Sequence, residues 1–399
     1  MFYIFLKCHF AFFRVLDLEA ALLEPCSSTT VYNICKGKAF PESVRPEAWE
    51  ACLGIQDKPD QLAYFNEIYD LPEQEELRQD CQNVVEKLGN DDYDKVSVVS
   101  DIESILTYYC KCKNLKYDKT NGFIELLLPI LALKTPKSKT YNIFEAIINQ
   151  YLPRNSTNDI SSLFRLLILY HDPELCSFLD TKRVTPDLYV NKWFKTLFSG
   201  TCYLKVVQSI WDFYFQQSDP FFVFFLSLVI VVNGKEHLMK MRNDDKNKIV
   251  EAISAMPSAL EHDDVTDFCS LAQYYALKTP ISFKKVSVLY FVLRVALAIN
   301  KRLFFFCFQE LFETFFGREA GSVPKSTLSQ ALCLPVSASE LVENVTETEF
   351  VEETEDPLER VRFFLVDCRP ADQYNAGHLP TAFHLDCNLV IYGKILRGK

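Results

Sequence analysis

A chain of 399 residues that is 49% hydrophobic and 24% charged is long enough for two domains and too apolar to remain unfolded. Its net charge of −11, with no long basic run, excludes the clustered lysines and arginines that nucleic-acid binding depends on. The 14 cysteines are scattered, with no paired CxxC motifs, so they read as reduced thiols packed as small hydrophobes, and neither a metal nor a cofactor is expected.

The N-terminal stretch 1–15 is atypical. It is apolar and aromatic with Lys7 and His9 inside it, and it lacks the early positive region and small-residue cleavage site of a signal peptide. From residue 16 to residue 285 the pattern is helical. Apolar residues recur at three and four, as in Phe144, Ile147, Ile148 and Tyr151, or Leu163, Leu166, Leu167 and Tyr170. Pro72, Pro129, Pro136, Pro153, Pro173 and Pro186 punctuate the segments. This is a helical domain with its core at about 37–235 and helices C-terminal to it. The apolar run Phe221 to Val232 is too short to span a bilayer, and a buried core helix is expected there.

Residues 286–309 break the pattern. Arg294, Lys301 and Arg302 interrupt the apolar run, which disfavours membrane insertion. The segment opens Val-Ser and closes Phe-Phe-Phe-Cys-Phe-Gln, as a translated splice donor and pyrimidine tract would. It is therefore either intron-derived or an atypical apolar insert. Residues 310–359 connect it to the end of the chain, and the acidic run from Glu340 to Glu359 reads as a solvated linker. In 360–399, Phe363-Phe364-Leu365-Val366 reads as a buried strand and begins an α/β unit with too little core to stand alone.

Three blocks carry a family signal. Arg45-Pro46-Glu47-Ala48-Trp49 follows Gly37 and Pro41, with Arg45 and Trp49 at i and i+4 on one helical face. Tyr141-Asn142-Ile143-Phe144 leads into Tyr151-Leu152-Pro153-Arg154. Trp193-Phe194 and Leu197-Phe198 precede Ile210-Trp211-Asp212. In this order they resemble the TBC family of Rab GTPase activators. The resemblance implies a mainly α fold: an all-helical TBC (Rab-GAP-like) domain followed by a truncated α/β segment. Arg45, Trp49, Asp80, Tyr117, Trp211 and Asp212 are implied to be structural motif residues.

The resemblance also implies two catalytic fingers, an Arg ending an IxxDxxR motif and a Gln ending a YxQ motif. A guanidinium placed where phosphoryl transfer builds negative charge is worth about 10³–10⁵ in rate, and the Gln orients the attacking water. Here the first motif aligns with Leu77-Arg78-Gln79-Asp80-Cys81-Gln82-Asn83, so Asn83 stands where the Arg should be. Asn is short and neutral and cannot replace it. Arg78 lies five residues earlier, about 500° of helical rotation, and so points roughly 140° away. The second motif aligns with Tyr117-Asp118-Lys119, with Lys119 in place of the Gln. An ammonium can donate to a phosphate but cannot accept a proton from water. Both departures argue against an enzyme; the alternative is a Rab activator working through non-standard residues. Arg78, Lys111, Lys113, Lys116 and Lys119 fall around this face as candidate basic contacts.

Val366 to Leu379 resembles the rhodanese signature, through Asp367, Arg369, Tyr374, Gly377 and His378. Cys368 sits at the strand end rather than in the later loop where rhodaneses carry their nucleophile, and that loop lies beyond Lys399. No sulfur transfer is expected, because a catalytic thiolate needs nearby N–H groups or cations. A degenerate TBC domain, an acidic linker and a rhodanese-like segment together resemble the family's adaptors of endosome-to-trans-Golgi transport. The resemblance implies golgin coiled-coil tethers as partners of the TBC/rhodanese-like region, with Rab GTPases as a further partner class. It places the chain on the cytoplasmic face of the trans-Golgi network and on endosome-derived vesicles.

Overall fold

The computed structural model describes residues 14–65, 68–86, 92–153, 157–280, 282–283, 333–334, 336–346 and 361–385. The start of the atypical N-terminus, the insert 286–309 and most of the connecting segment 310–359 lie outside the described residues.

The helices in chain order are α1 (Ser28–Cys35), α2 (Arg45–Leu53), α3 (Gln74–Glu86), α4 (Asp92–Lys113), α5 (Phe123–Leu131), α6 (Lys137–Tyr151) and α7 (Thr157–His171). They continue with α8 (Pro173–Thr181), α9 (Val190–Thr196), α10 (Leu204–Gln217), α11 (Phe222–Asn233), α12 (Lys235–Lys240), α13 (Lys246–Ala255) and α14 (Val265–Leu277). Local sequence sets their ends. Ser27 caps α1 by accepting from the Thr30 N–H, and Asp172 caps α8 by accepting from Leu175, with Pro173 next in line. Gly54 ends α2 in the left-handed region at φ 65°.

The described residues fall into two compact units, one running to Gln273 and including Cys333 and Leu334, the other holding the remainder from Tyr274 onward. In the first unit α10 packs against α1, α2, α5 and α11. Trp49 and Trp211 meet at 5.6 Å between ring centroids, and Phe215 meets Trp49 edge-on at 5.3 Å. Helix α11 is buried from Phe222 to Val229 and again at Val231, as its uniformly apolar sequence requires. No helix among the described residues is long and apolar enough to cross a membrane.

The second unit contains α15 (Ala338–Thr346), β1 (Val366–Asp367), α16 (Ala371–Ala376) and β2 (Phe383–His384). The two strands pair in parallel, Val366 opposite Phe383 and Asp367 opposite His384, with α16 as the crossover. Two sequence expectations are corrected here. The stretch Phe363 to Val366 is not a buried strand: Phe364 is 81% exposed, its ring stacked on that of the likewise exposed Phe383 at 6.3 Å between centroids. The acidic run does not begin as a solvated linker either. Its first residues form α15, and Glu340 is only 4% exposed.

Candidate functional site

Asp212, at the centre of the first unit, is fully buried and accepts from three residues that lie far away in sequence. The Arg45 guanidinium donates Nε to both carboxylate oxygens at 3.1 Å, the Trp49 indole donates at 2.7 Å, and the Phe40 backbone N–H at 3.0 Å. Arg45 also reaches the Phe40 carbonyl at 3.2 Å. Burial pushes the Asp212 carboxyl up to about 7, against the pull of Arg45, Trp49 and the Phe40 amide. Arg45, Trp49 and Asp212 thus form one polar knot pinning α2 to α10. The neighbouring Trp211 donates to the Leu197 carbonyl at 2.9 Å.

Lys119, the residue aligned with the second finger motif, reaches Asp80, which lies three residues before Asn83 on the stretch aligned with the first. Helix α3 buries Leu77, Cys81 and Val85 as an i, i+4, i+8 stripe, and Asp80 sits at its edge, 5% exposed. Tyr117 donates to Asp80 Oδ2 at 3.1 Å, and the Lys119 ammonium donates to Oδ1. Burial, then the Asp80 charge and its hydrogen bond, drive the Tyr117 hydroxyl far above its ordinary value. The Asp80 hydrogen bond likewise raises Lys119, so the ammonium is fully charged. Asn83, one turn after Asp80, is exposed and accepts from Gln79 at 3.4 Å.

The turn carrying Lys119 is built to hold one shape. Asp118 accepts from the Thr120 N–H at 2.7 Å, Lys195 donates to the Thr120 carbonyl at 3.1 Å, and Gly122 adopts φ +71°. A Cβ at Gly122 would stand 2.6 Å from the Thr196 methyl on α9. Gly122 and Lys195 were not singled out from the sequence. The one available signal was the glycine following the Asp-Lys-Thr-Asn turn.

Arg78 is turned away from this pair, as helical geometry requires. It forks onto Glu103 of α4 at 3.0 and 3.3 Å and reaches Glu75 at 3.4 Å. The remaining candidate basic contacts are committed as well. Lys111 pairs with Asp70, Lys113 with Glu145 at 2.8 Å and Lys116 with Glu73 at 3.4 Å. The five cations therefore do not form a bare basic patch: each is neutralised by a carboxylate of its own domain.

Glu145 is a buried acid that the periodicity of α6 does not reveal. It accepts from Lys58 at 2.5 Å, Lys113 at 2.8 Å and Gln61 at 3.2 Å. Burial acts to raise its pKa, but the two lysines outweigh it and bring the carboxyl down to about 2.

In the second unit the rhodanese-like signature closes on itself. Asp367 accepts from Arg369 at 2.6, 3.0 and 3.1 Å, and Arg369 also donates to the Gly377 carbonyl at 2.7 Å. This holds Asp367 down at about 2. The Tyr374 ring lies between His378 and His384, with centroids 3.8 and 4.2 Å away and planes within 12° and 13°. Asp367, Arg369, Gly377 and His378 thus form one turn, and Cys368 is exposed beside it.

Comparison with known proteins agrees with both assignments of domain. Residues 42–239 match the Rab-GTPase-TBC domain, and residues 350–396 match the rhodanese-like domain. A TBC domain-containing protein kinase-like protein of Dictyostelium discoideum is 28% identical over 136 residues, covering 33% of this chain and 12% of that relative. The Homo sapiens protein of the same description is 31% identical over 99 residues, covering 23% and 11%. The chain thus spans roughly an eighth of the length of these relatives. The crystal structure of the Chlamydomonas flagellar RabGAP TBC domain superposes with a TM-score of 0.51 at 14% identity, over 62% of this chain and 85% of that one, which shows a shared fold.

Proposed function

We propose that this chain, which carries a Rab-GTPase-TBC domain and a rhodanese-like domain, is a non-catalytic adaptor in vesicle tethering for endosome-to-trans-Golgi transport. The observation that supports this reading most is the pairing of Lys119 with Asp80. The residue in the second finger position spends its charge on its own domain, and Asn83 supplies no guanidinium at the first. An uncommitted cation is what a developing γ-phosphate charge needs. The domain then serves as a surface, with grooves between helices able to take an amphipathic partner helix. Golgin coiled-coil tethers are the partner class, and the cytoplasmic face of the trans-Golgi network and endosome-derived vesicles is the location.

A pull-down of purified golgin coiled-coil segments on the intact chain tests the reading. Saturable capture supports it, and failure of every segment to bind removes it. A second reading, a Rab GTPase activator using non-standard residues, draws on the exposure of Lys119, whose side chain is 63% accessible despite its pairing. Stimulated hydrolysis lost on Lys119→Ala would favour that reading.

A further inference from the structure

The second unit contains a hydrogen-bonded knot that the adaptor reading does not use. Ser337 precedes α15, and its hydroxyl accepts from the Glu340 N–H at 3.3 Å, one half of a capping box. The reciprocal half is rerouted. The Glu340 carboxylate takes the Ser282 N–H at 2.5 Å and the Ser282 hydroxyl as well. The Ser337 N–H goes to the Ser282 hydroxyl at 2.7 Å, and the two hydroxyl oxygens lie 3.0 Å apart. One serine from 55 residues earlier therefore completes the cap of α15 and covers Glu340.

We propose that Ser337 is a phosphorylation site and that its phosphate opens this knot. Ser337-Ala338-Ser339-Glu340 places an acid three residues after a serine, the spacing that acidic-directed serine kinases read, and Glu343 extends the acidic flank. In the closed knot that acid is buried against Ser282, so the recognition group and the acceptor hydroxyl become available together when the knot opens. The Ser337 oxygen attacks the γ-phosphorus of the kinase's Mg-ATP. The bond from that phosphorus to the ADP oxygen breaks, and the hydroxyl proton passes to the kinase's base. The product carries about −1.5 to −2 charge at pH 7. Beside the Glu340 carboxylate it creates two anions that cannot both stay desolvated. Ser282 is then released from α15 instead of reclosing on it.

The test treats the full chain with an acidic-directed serine kinase and Mg-ATP, maps phosphate by mass spectrometry and follows amide exchange at Ser282, whose N–H donates to Glu340. Phosphate on Ser337 with about tenfold faster exchange at Ser282 is the expected result. Ser282→Ala is expected to raise the initial phosphorylation rate about threefold, because it uncovers Glu340. No phosphate on Ser337, phosphate on Ser339 alone, or phosphate on Ser337 with unchanged exchange overturns the proposal. The exchange measurement on the unmutated chain decides the case even where Ser282→Ala fails to fold.

Discussion

The Lys119 ammonium donates to one oxygen of the Asp80 carboxylate while the Tyr117 hydroxyl takes the other at 3.1 Å, across 39 and 37 residues of chain. The two stretches aligned with the finger motifs thus meet at a single acid, and the Lys119 charge is paired within its own domain.

Restoring the fingers tests this alignment. Asn83→Arg with Lys119→Gln places a guanidinium one turn after Asp80 and an amide on the pinned turn. Single-turnover phosphate release by at least one Rab is expected to rise by about tenfold or more over the unmutated chain, a small part of the 10³–10⁵ an arginine finger supplies. No gain with any Rab that binds the double variant would mean that these positions do not face the nucleotide.

The Asp212 knot makes a stability prediction. Asp212→Ala leaves Arg45, whose side chain is 8% exposed, buried without its carboxylate. Breaking such a pair costs about 3–5 kcal/mol. Urea unfolding should show a large fall in midpoint with an unchanged slope. Asp212→Asn keeps an acceptor for the Trp49 indole and should cost less.

Glu145 gives a pH dependence with a definite sign. Its folded-state pKa lies below the ordinary carboxylate value of 4.5, at about 2. Its contribution to stability is therefore complete above that ordinary value and is lost as the pH falls through about 2. Glu145→Gln should lower stability at pH 7 and flatten the acid limb of the stability curve between pH 5 and pH 2, measured by denaturant titration at each pH. An unchanged acid limb would show that Lys58 and Lys113 do not hold the carboxylate ionised.

The turn carrying Lys119 should be intolerant of a side chain at residue 122. Gly122→Ala combines a left-handed φ of +71° with a 2.6 Å approach to the Thr196 methyl. A loss of about 1–3 kcal/mol is expected. Thr196→Ser removes that methyl and should recover part of the loss, whereas Lys195→Ala should not.

The sequence was most readable where one residue type does one job. Arg45, Trp49 and Asp212 stand out only through the resemblance of the motif blocks; that they close on one carboxylate is not readable, because the pairing joins residues more than 160 positions apart. The all-apolar run of α11 could be satisfied only by burial. The helical rotation that turns Arg78 away from Asn83 could be computed, but its partner Glu103 could not, because pairing across helices leaves no trace in local periodicity. Glu145 was hidden for the same reason: its lysines, Lys58 and Lys113, come from different elements. Glu340 looked like one more charge in an acidic run. It is buried because Ser282, far off in the chain, supplies its hydrogen bonds. The turn at Gly122 shows the same limit, since its close approach to Thr196 exists only once α9 is packed.

The central claim is that the TBC domain binds without stimulating hydrolysis. The most direct measurement is single-turnover GTP hydrolysis by a panel of purified Rabs with the intact chain in excess. The account predicts rates within about twofold of each Rab's intrinsic rate, where an active finger pair would give about 10³–10⁵. Strong stimulation of any Rab, abolished by Lys119→Ala, would contradict it.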